Sequence, residues 1–181
     1  MIRCFVALPL PEGTRARLEA LQYMLPLAHR VPSGNMHVTL AFLGTLDDAT
    51  LEAVHEELSA IRSPAFDIRL DGIGSFGGQA PRVIHVPVRP TPPLTDLQAA
   101  VARAVRRAGA DPGARRYVPH VTLSRARPRG AELMRLEHAV AGLAGYRDGP
   151  VPVRGFALYR SDLGKGAPRY TPLAEYPLAE T

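Results

Sequence analysis

The chain has 181 residues, enough for one compact domain and too few for two full ones. Hydrophobic residues make up 46% of it, so a core can form without disulfides or metal staples, and the only cysteine, Cys4, cannot form an intramolecular disulfide. The formal net charge of +5 is carried almost wholly by arginine, with Lys165 the one lysine, which suits an anionic partner but also fits a compositional bias toward Ala, Arg, Gly and Pro.

Residues 2–8 (IRCFVAL) form a β-branched and aromatic run ahead of Pro9 and Pro11, and read as a buried strand. Pro11 suits the first turn of a helix reaching about Leu25, with Leu18, Leu21 and Leu25 on one face. A turn at 32–35 leads into a strand over 36–43. Asp47 or Asp48 then caps a helix whose apolar face is Leu51, Val54 and Leu58. Strands are predicted at 65–70 and 82–88, joined by a glycine-rich hairpin connection over 72–78, and 90–93 is a stiff connector. An amphipathic helix over 94–108 presents Leu97, Val101 and Val105. A turn at 111–113, a strand over 117–124, a helix over 132–143, a strand over 151–160 and a short strand over 170–176 complete the chain. This alternation points to an α/β or α+β domain with mixed sheets. No window approaches the ~20 apolar residues needed to span a bilayer, and no basic, then apolar, leader opens the chain. A cytoplasmic protein is expected.

The order has a two-fold echo. The helix, turn and strand over 11–43 resemble those over 94–124, and the two strands carry nearly the same tetrapeptide: His37-Val38-Thr39-Leu40 and His120-Val121-Thr122-Leu123, 83 residues apart. Side chains alternate across a strand, so His37 shares a face with Thr39, and His120 with Thr122, while the aliphatic residues face the core. One imidazole and one hydroxyl from each half can line a single cleft. Opening a cyclic phosphodiester needs a base to activate water and an acid to protonate the departing ribose oxygen, and histidine can serve as either near neutral pH. Hydroxyls can donate to the non-bridging phosphate oxygens. Metal binding is the other reading of two histidines; neither strand face carries a third His, Asp or Glu to complete such a site, although a residue distant in sequence could supply one, and no metal and no cofactor is expected.

These motifs, with the stretches IRCFVALPLP, VPSGNMHVTLAFLG, YVPHVTLSRA and FALYRSDLGKGAPRYTPLAEYPL, resemble the two-histidine phosphoesterase superfamily, and within it the LigT-like group called 2′–5′ RNA ligases or RNA 2′,3′-cyclic phosphodiesterases. The resemblance runs over the whole chain in family order. It implies an α+β fold with residues 1–181 as a single bilobal domain, two pseudo-symmetric lobes of mixed or antiparallel sheet flanked by helices, and one HxTx strand from each lobe in a central cleft. It implies hydrolysis of RNA terminal 2′,3′-cyclic phosphate to a 2′-phosphomonoester, with His37 as general acid and His120 as general base. Nothing in the nearly identical motifs separates those two roles. It further implies Thr39, Thr122 and Arg125 as phosphate-binding residues and Phe42 as a base-stacking aromatic. Simple strand parity places Arg125 and Phe42 with the core residues, so the strand must end or bulge near Ser124 for Arg125 to reach the phosphate. The partners implied are RNA ends or small 2′,3′-cyclic nucleotides, with no membrane, and the chain is expected as a monomer.

Two alternatives stay open. Reversible 2′–5′ RNA ligation would use the same residues with an RNA 5′-hydroxyl replacing water. A non-catalytic, arginine-rich RNA-binding module would not need two titrating imidazoles. Of the other histidines, His29, His55 and His138 read as structural or solvated, and His85, in the middle of RVIHVPV, can face either way. Arg160 in the Tyr159-Arg160-Ser161 segment reads as structural, with a role near the cleft as the other option. The glycine-rich GIGSFGG lacks the lysine of a phosphate-cradling loop, and there is no GxSxG elbow.

Overall fold

The computed structural model describes residues 1–114 and 116–180. Nine strands and four α-helices occur among them: β1 (Ile2–Pro9), α1 (Glu12–Met24), β2 (His37–Leu46), α2 (Asp48–Ser59), β3 (Phe66–Asp71), β4 (Gly74–Phe76), β5 (Val83–Pro87), α3 (Pro92–Arg107), β6 (His120–Ser124), α4 (Gly130–Gly142), β7 (Arg147–Val153), β8 (Gly155–Asp162) and β9 (Arg169–Pro177).

Seven strands form one sheet in the order β4-β5-β6-β2-β1-β8-β9, and β3 and β7 form a second. Every strand pair is antiparallel, where the alternation of elements had suggested mixed sheets. The large sheet divides where β2 meets β6, a junction of one residue pair, Val38 with Val121. About that pair the halves match. His37 lies opposite Pro9 and Thr39 opposite Ala7 on one side, while His120 lies opposite Pro87 and Thr122 opposite His85 on the other. Leu8, Val38, Val86 and Val121 are fully buried on the reverse face, and this aliphatic row anchors both motif strands.

Local chemistry explains where the elements start. Asp47, rather than Asp48, caps α2, and its side chain accepts from the Thr50 N–H at 2.7 Å. Helix α3 begins at Pro92, inside the expected connector, because a proline in the first turn gives up an N–H that no helical carbonyl would receive. Strand β6 begins at His120 rather than at 117, after Pro119, which has no N–H to offer a ladder. The expected strand over 151–160 is two strands. β7 pairs with β3 in the small sheet, the chain leaves the ladder at Arg154, and β8 joins β1 in the large one. The glycine-rich connection is itself part strand, with β4 paired to β5. Among the described residues no helix is long and apolar enough to cross a membrane.

Candidate active site

The site is built on the sheet face that carries both motif histidines. The Nδ1 atom of His37 lies 2.7 Å from Asn35 O, and Nδ1 of His120 lies 2.7 Å from Val118 O. A carbonyl can only accept, so each ring carries its neutral-state proton on Nδ1 and presents Nε2 as a lone pair. Each imidazole is thus held through Nδ1 by the carbonyl two residues before it. The two rings differ at Nε2. That of His37 is 3.0 Å from Thr39 Oγ1, while no partner among the described residues engages that of His120.

Burial disfavours the charged form of both rings in the free protein. It lowers His37 to about 4 against the help of the Asn35 carbonyl, with the positive charges of Arg125 and His120 pushing the same way. His120 is also lowered, by burial first and then by Arg125, with the Val118 carbonyl opposing. The Arg125 charge is thus felt at both histidines.

Two β-bulges decide what else reaches this face. In β6, Thr122 pairs with His85 and Ser124 with Ile84, so Leu123 is an extra residue. In β2, Thr39 pairs with Ala7 and Ala41 with Val6, so Leu40 is extra. Each bulge falls on the fourth residue of a motif and reverses the parity of the residues that follow it directly, before a second bulge in β2 at Leu43. Arg125 and Phe42, each five residues after a motif histidine, therefore turn to the histidine face. For Arg125 this is the bulge that the assignment required. For Phe42 it corrects the reading from parity: the residue is 57% exposed and its ring centroid lies 6.2 Å from that of Phe5, which in turn is 4.9 Å from His37. Thr122 is half-buried on the same face.

Several residues here escape a reading of the sequence alone. Phe5 and Tyr170 pack on His37, Tyr170 edge-on at 5.5 Å, and Phe5 stacks on Tyr159 at 5.2 Å. Asn35 holds His37 through its carbonyl while its side-chain amide donates to Pro168 O at 2.7 Å, tying the β8–β9 loop to the first motif. On the other side stands a third histidine. His85 is 4% exposed, lies edge-to-face with His120 at 5.1 Å and is stacked by Phe76 at 4.1 Å, and Phe76 also meets His120 at 4.9 Å. Burial, then the charge of His120, lowers His85 to about 4, and its Nδ1 has no hydrogen-bond partner among the described residues. Arg160 points away: it lies opposite Cys4, off the Phe5–Ala7 face, and pairs with Asp162 at 2.7 Å. His55 is likewise occupied elsewhere, 2.9 Å from the Tyr176 hydroxyl. Among the described residues no group of three or more His, Cys, Asp or Glu side chains converges in a way that could hold a metal ion.

Comparison with known proteins gives this arrangement a context. The family model of the 2′-5′ RNA ligase superfamily matches residues 10–165. An RNA 2′,3′-cyclic phosphodiesterase of Thermus thermophilus is 34% identical over 98% of this chain and 90% of its own length, and one of Escherichia coli is 29% identical over 98% and 97%. A Geobacillus stearothermophilus protein of the same name is 28% identical over 96% of this chain, which spans only 56% of that longer relative. Among solved structures, E. coli LigT complexed with 3′-AMP aligns with a TM-score of 0.80 at 28% identity, covering 98% of both chains. With its antiparallel sheet, its doubled HxTx strands and a family match over most of its length, the chain belongs to the 2′-5′ RNA ligase superfamily.

Proposed function

We propose that the chain hydrolyses the 2′,3′-cyclic phosphate at RNA ends or on small nucleotides to a 2′-phosphomonoester, by acid–base catalysis at His37 and His120. The observation that carries this reading is the pair of imidazoles, each oriented through Nδ1 by its own i−2 carbonyl, on one sheet face with the Arg125 charge acting on both. The curated relatives named for this activity support it.

In the proposed reaction the free Nε2 of His120 takes a proton from water as its oxygen attacks phosphorus. The bond from phosphorus to the ribose 3′-oxygen breaks, and His37 gives its Nε2 proton to that oxygen. The phosphate stays on the 2′-oxygen, and proton exchange with solvent resets both rings. The difference at Nε2 supports this division of labour. The lone pair of neutral His37 is already taken by the Thr39 hydroxyl, whereas that of His120 is open. His37 must be protonated to act, and in the free protein burial keeps it neutral; the bound phosphodiester anion is the charge that raises it. Protonation of His37 at Nε2 frees the Thr39 hydroxyl hydrogen, so that Arg125, Thr39 and Thr122 hold the non-bridging oxygens, and Phe42 offers an exposed ring to the base.

The test is incubation of the purified protein with an oligonucleotide ending in a 2′,3′-cyclic phosphate. The 2′-phosphomonoester is expected as product, with the rate unchanged by EDTA. Loss of activity in EDTA that a divalent ion restores would replace this mechanism with a metal-assisted one. Superfamily membership favours one further reading, ligation through an RNA 5′-hydroxyl in place of water. Joined product on offering both RNA halves would establish it.

A further inference from the structure

Two glutamine side chains repeat the symmetry of the motifs, and the mechanism uses neither. Gln22, on α1, is 2% exposed, and its Nε2 donates to Leu123 O at 2.7 Å and to Val31 O at 2.9 Å. Gln98, on α3, donates Nε2 to Leu40 O at 3.3 Å. Leu123 and Leu40 are the bulged residues that end the two motifs. The exchange is reciprocal: α1, which precedes the first motif strand, holds the second, and α3, which precedes the second, holds the first.

A bulge leaves its extra residue out of the regular ladder, so the local hydrogen bonds have to be made elsewhere. At Leu123 the carbonyl accepts from both Val31 N, at 2.9 Å, and Gln22, which fills its two lone pairs. Around it the segment before β2 is stitched to the end of β6, with Arg125 N donating to His29 O at 3.3 Å and the Ser124 hydroxyl donating to Ala28 O. Gln22 spends both amide hydrogens on this junction. A regular ladder would return Arg125 to the face of Val121, because a one-residue change of register exchanges the faces of a strand.

We propose that Gln22 and Gln98 are positioning residues, amide clamps on the bulges at Leu123 and Leu40 that keep Arg125 and Phe42 turned toward the histidines. The inference deepens the function proposed above and rests on it for its kinetic consequences, but its structural claim can be read without turnover. In Gln22→Met the side chain keeps its length and loses both donors. The Arg125 charge should then recede from the histidines, and the midpoints of His37 and His120, followed by NMR titration, should move to higher pH, as in Arg125→Ala. kcat/KM on a 2′,3′-cyclic-phosphate oligonucleotide should fall roughly tenfold, a size typical of coupling between neighbouring residues. Adding Gln22→Met to Arg125→Ala should then cost less than about twofold more. Gln98→Met should raise KM, and it should be non-additive with Phe42→Ala but additive with Arg125→Ala.

A Gln22 that merely supports the fold predicts a lower Tm, unmoved histidine midpoints and losses that multiply in the double variant. That result overturns the proposal. Should Gln22→Met fail to fold, the half-buried Gln98, with its single bond, decides: additivity of Gln98→Met with Phe42→Ala overturns it equally. If the wild-type chain does not open the cyclic phosphate, the proposed function fails, while the titration of His37 and His120 in Gln22→Met still rules on the clamp.

Discussion

His37 and His120 sit on matched strands with matched Nδ1 contacts, yet their surroundings differ. Removing either imidazole should lower kcat by at least ~10²-fold, the lower range for a general acid or base. The double His37→Ala, His120→Ala variant should be little worse than the poorer single, because both proton transfers belong to one transition state. A near-normal rate in either single variant would take that residue out of the mechanism. Arg125→Ala tests charge as well as contact. Loss of a charge-assisted phosphate bond should cost ~2–3 kcal/mol in kcat/KM, with Tm almost unchanged because the side chain is exposed. The pH profile should move as well. Burial is the larger cause of the low values at both histidines, and the Arg125 charge adds to it by opposing protonation. Without that charge the base protonates more readily and must be freed at higher pH, so the acid limb of kcat/KM should shift upward. A limb that stays in place would mean that the guanidinium does not act on the histidines.

At the scale of elements, the β4–β5 hairpin is the part whose meaning depends most on its neighbours. Gly74 lies opposite His85, and a Cβ added there would stand 2.8 Å from His85 Nε2, close enough to force the ring to move. His85 and Phe76 form the wall against which His120 rests. Gly74→Ala is therefore expected to displace His85 and lower kcat severalfold. In a His85→Ala background the same change should cost nothing further, since the ring it collides with is gone. Equal losses from Gly74→Ala in both backgrounds, measured as kcat, would disconnect the hairpin from His120. The hairpin's sequence shows a glycine-rich run with one phenylalanine and does not hint at this. Its partner strand and the third histidine become legible only once β5 is seen beside β6.

For the molecule as a whole, burying neutral histidines makes stability depend on pH. His37 and His85 are both held near 4, against an ordinary value near 6.5. Above about pH 6.5 both rings are neutral folded and unfolded alike, and their burial carries no protonation penalty. Between about 6.5 and 4 the unfolded chain takes up protons that the folded chain refuses, so stability falls as pH falls, by up to ~3 kcal/mol for each group. Tm should drop across that window. The drop should be shallower in His85→Phe, which keeps a ring against Phe76 and removes the titration. A slope identical in wild type and His85→Phe would mean that His85 titrates normally in the folded protein.

Residues 37–40 and 120–123 already marked the candidate site, because hydrophobic alternation is local and puts each histidine with its threonine and each valine in the core without reference to any other strand. Helix faces such as Leu97, Val101 and Val105 were legible for the same reason. The division of 147–162 between two sheets, the antiparallel junction at Val38 and Val121, and the orientation of Arg125 and Phe42 were not. Parity counted along one strand placed those two side chains in the core, and the bulges at Leu40 and Leu123 reversed it. A bulge is a mismatch between two strands, held here by amides from helices far away in sequence. Sequence by itself determined which groups share a polar strand face as candidates for chemistry, since that depends on residue type and a period of two. Only the tertiary structure decided which further side chains join them, since that depends on how partner strands and helices take up an extra residue.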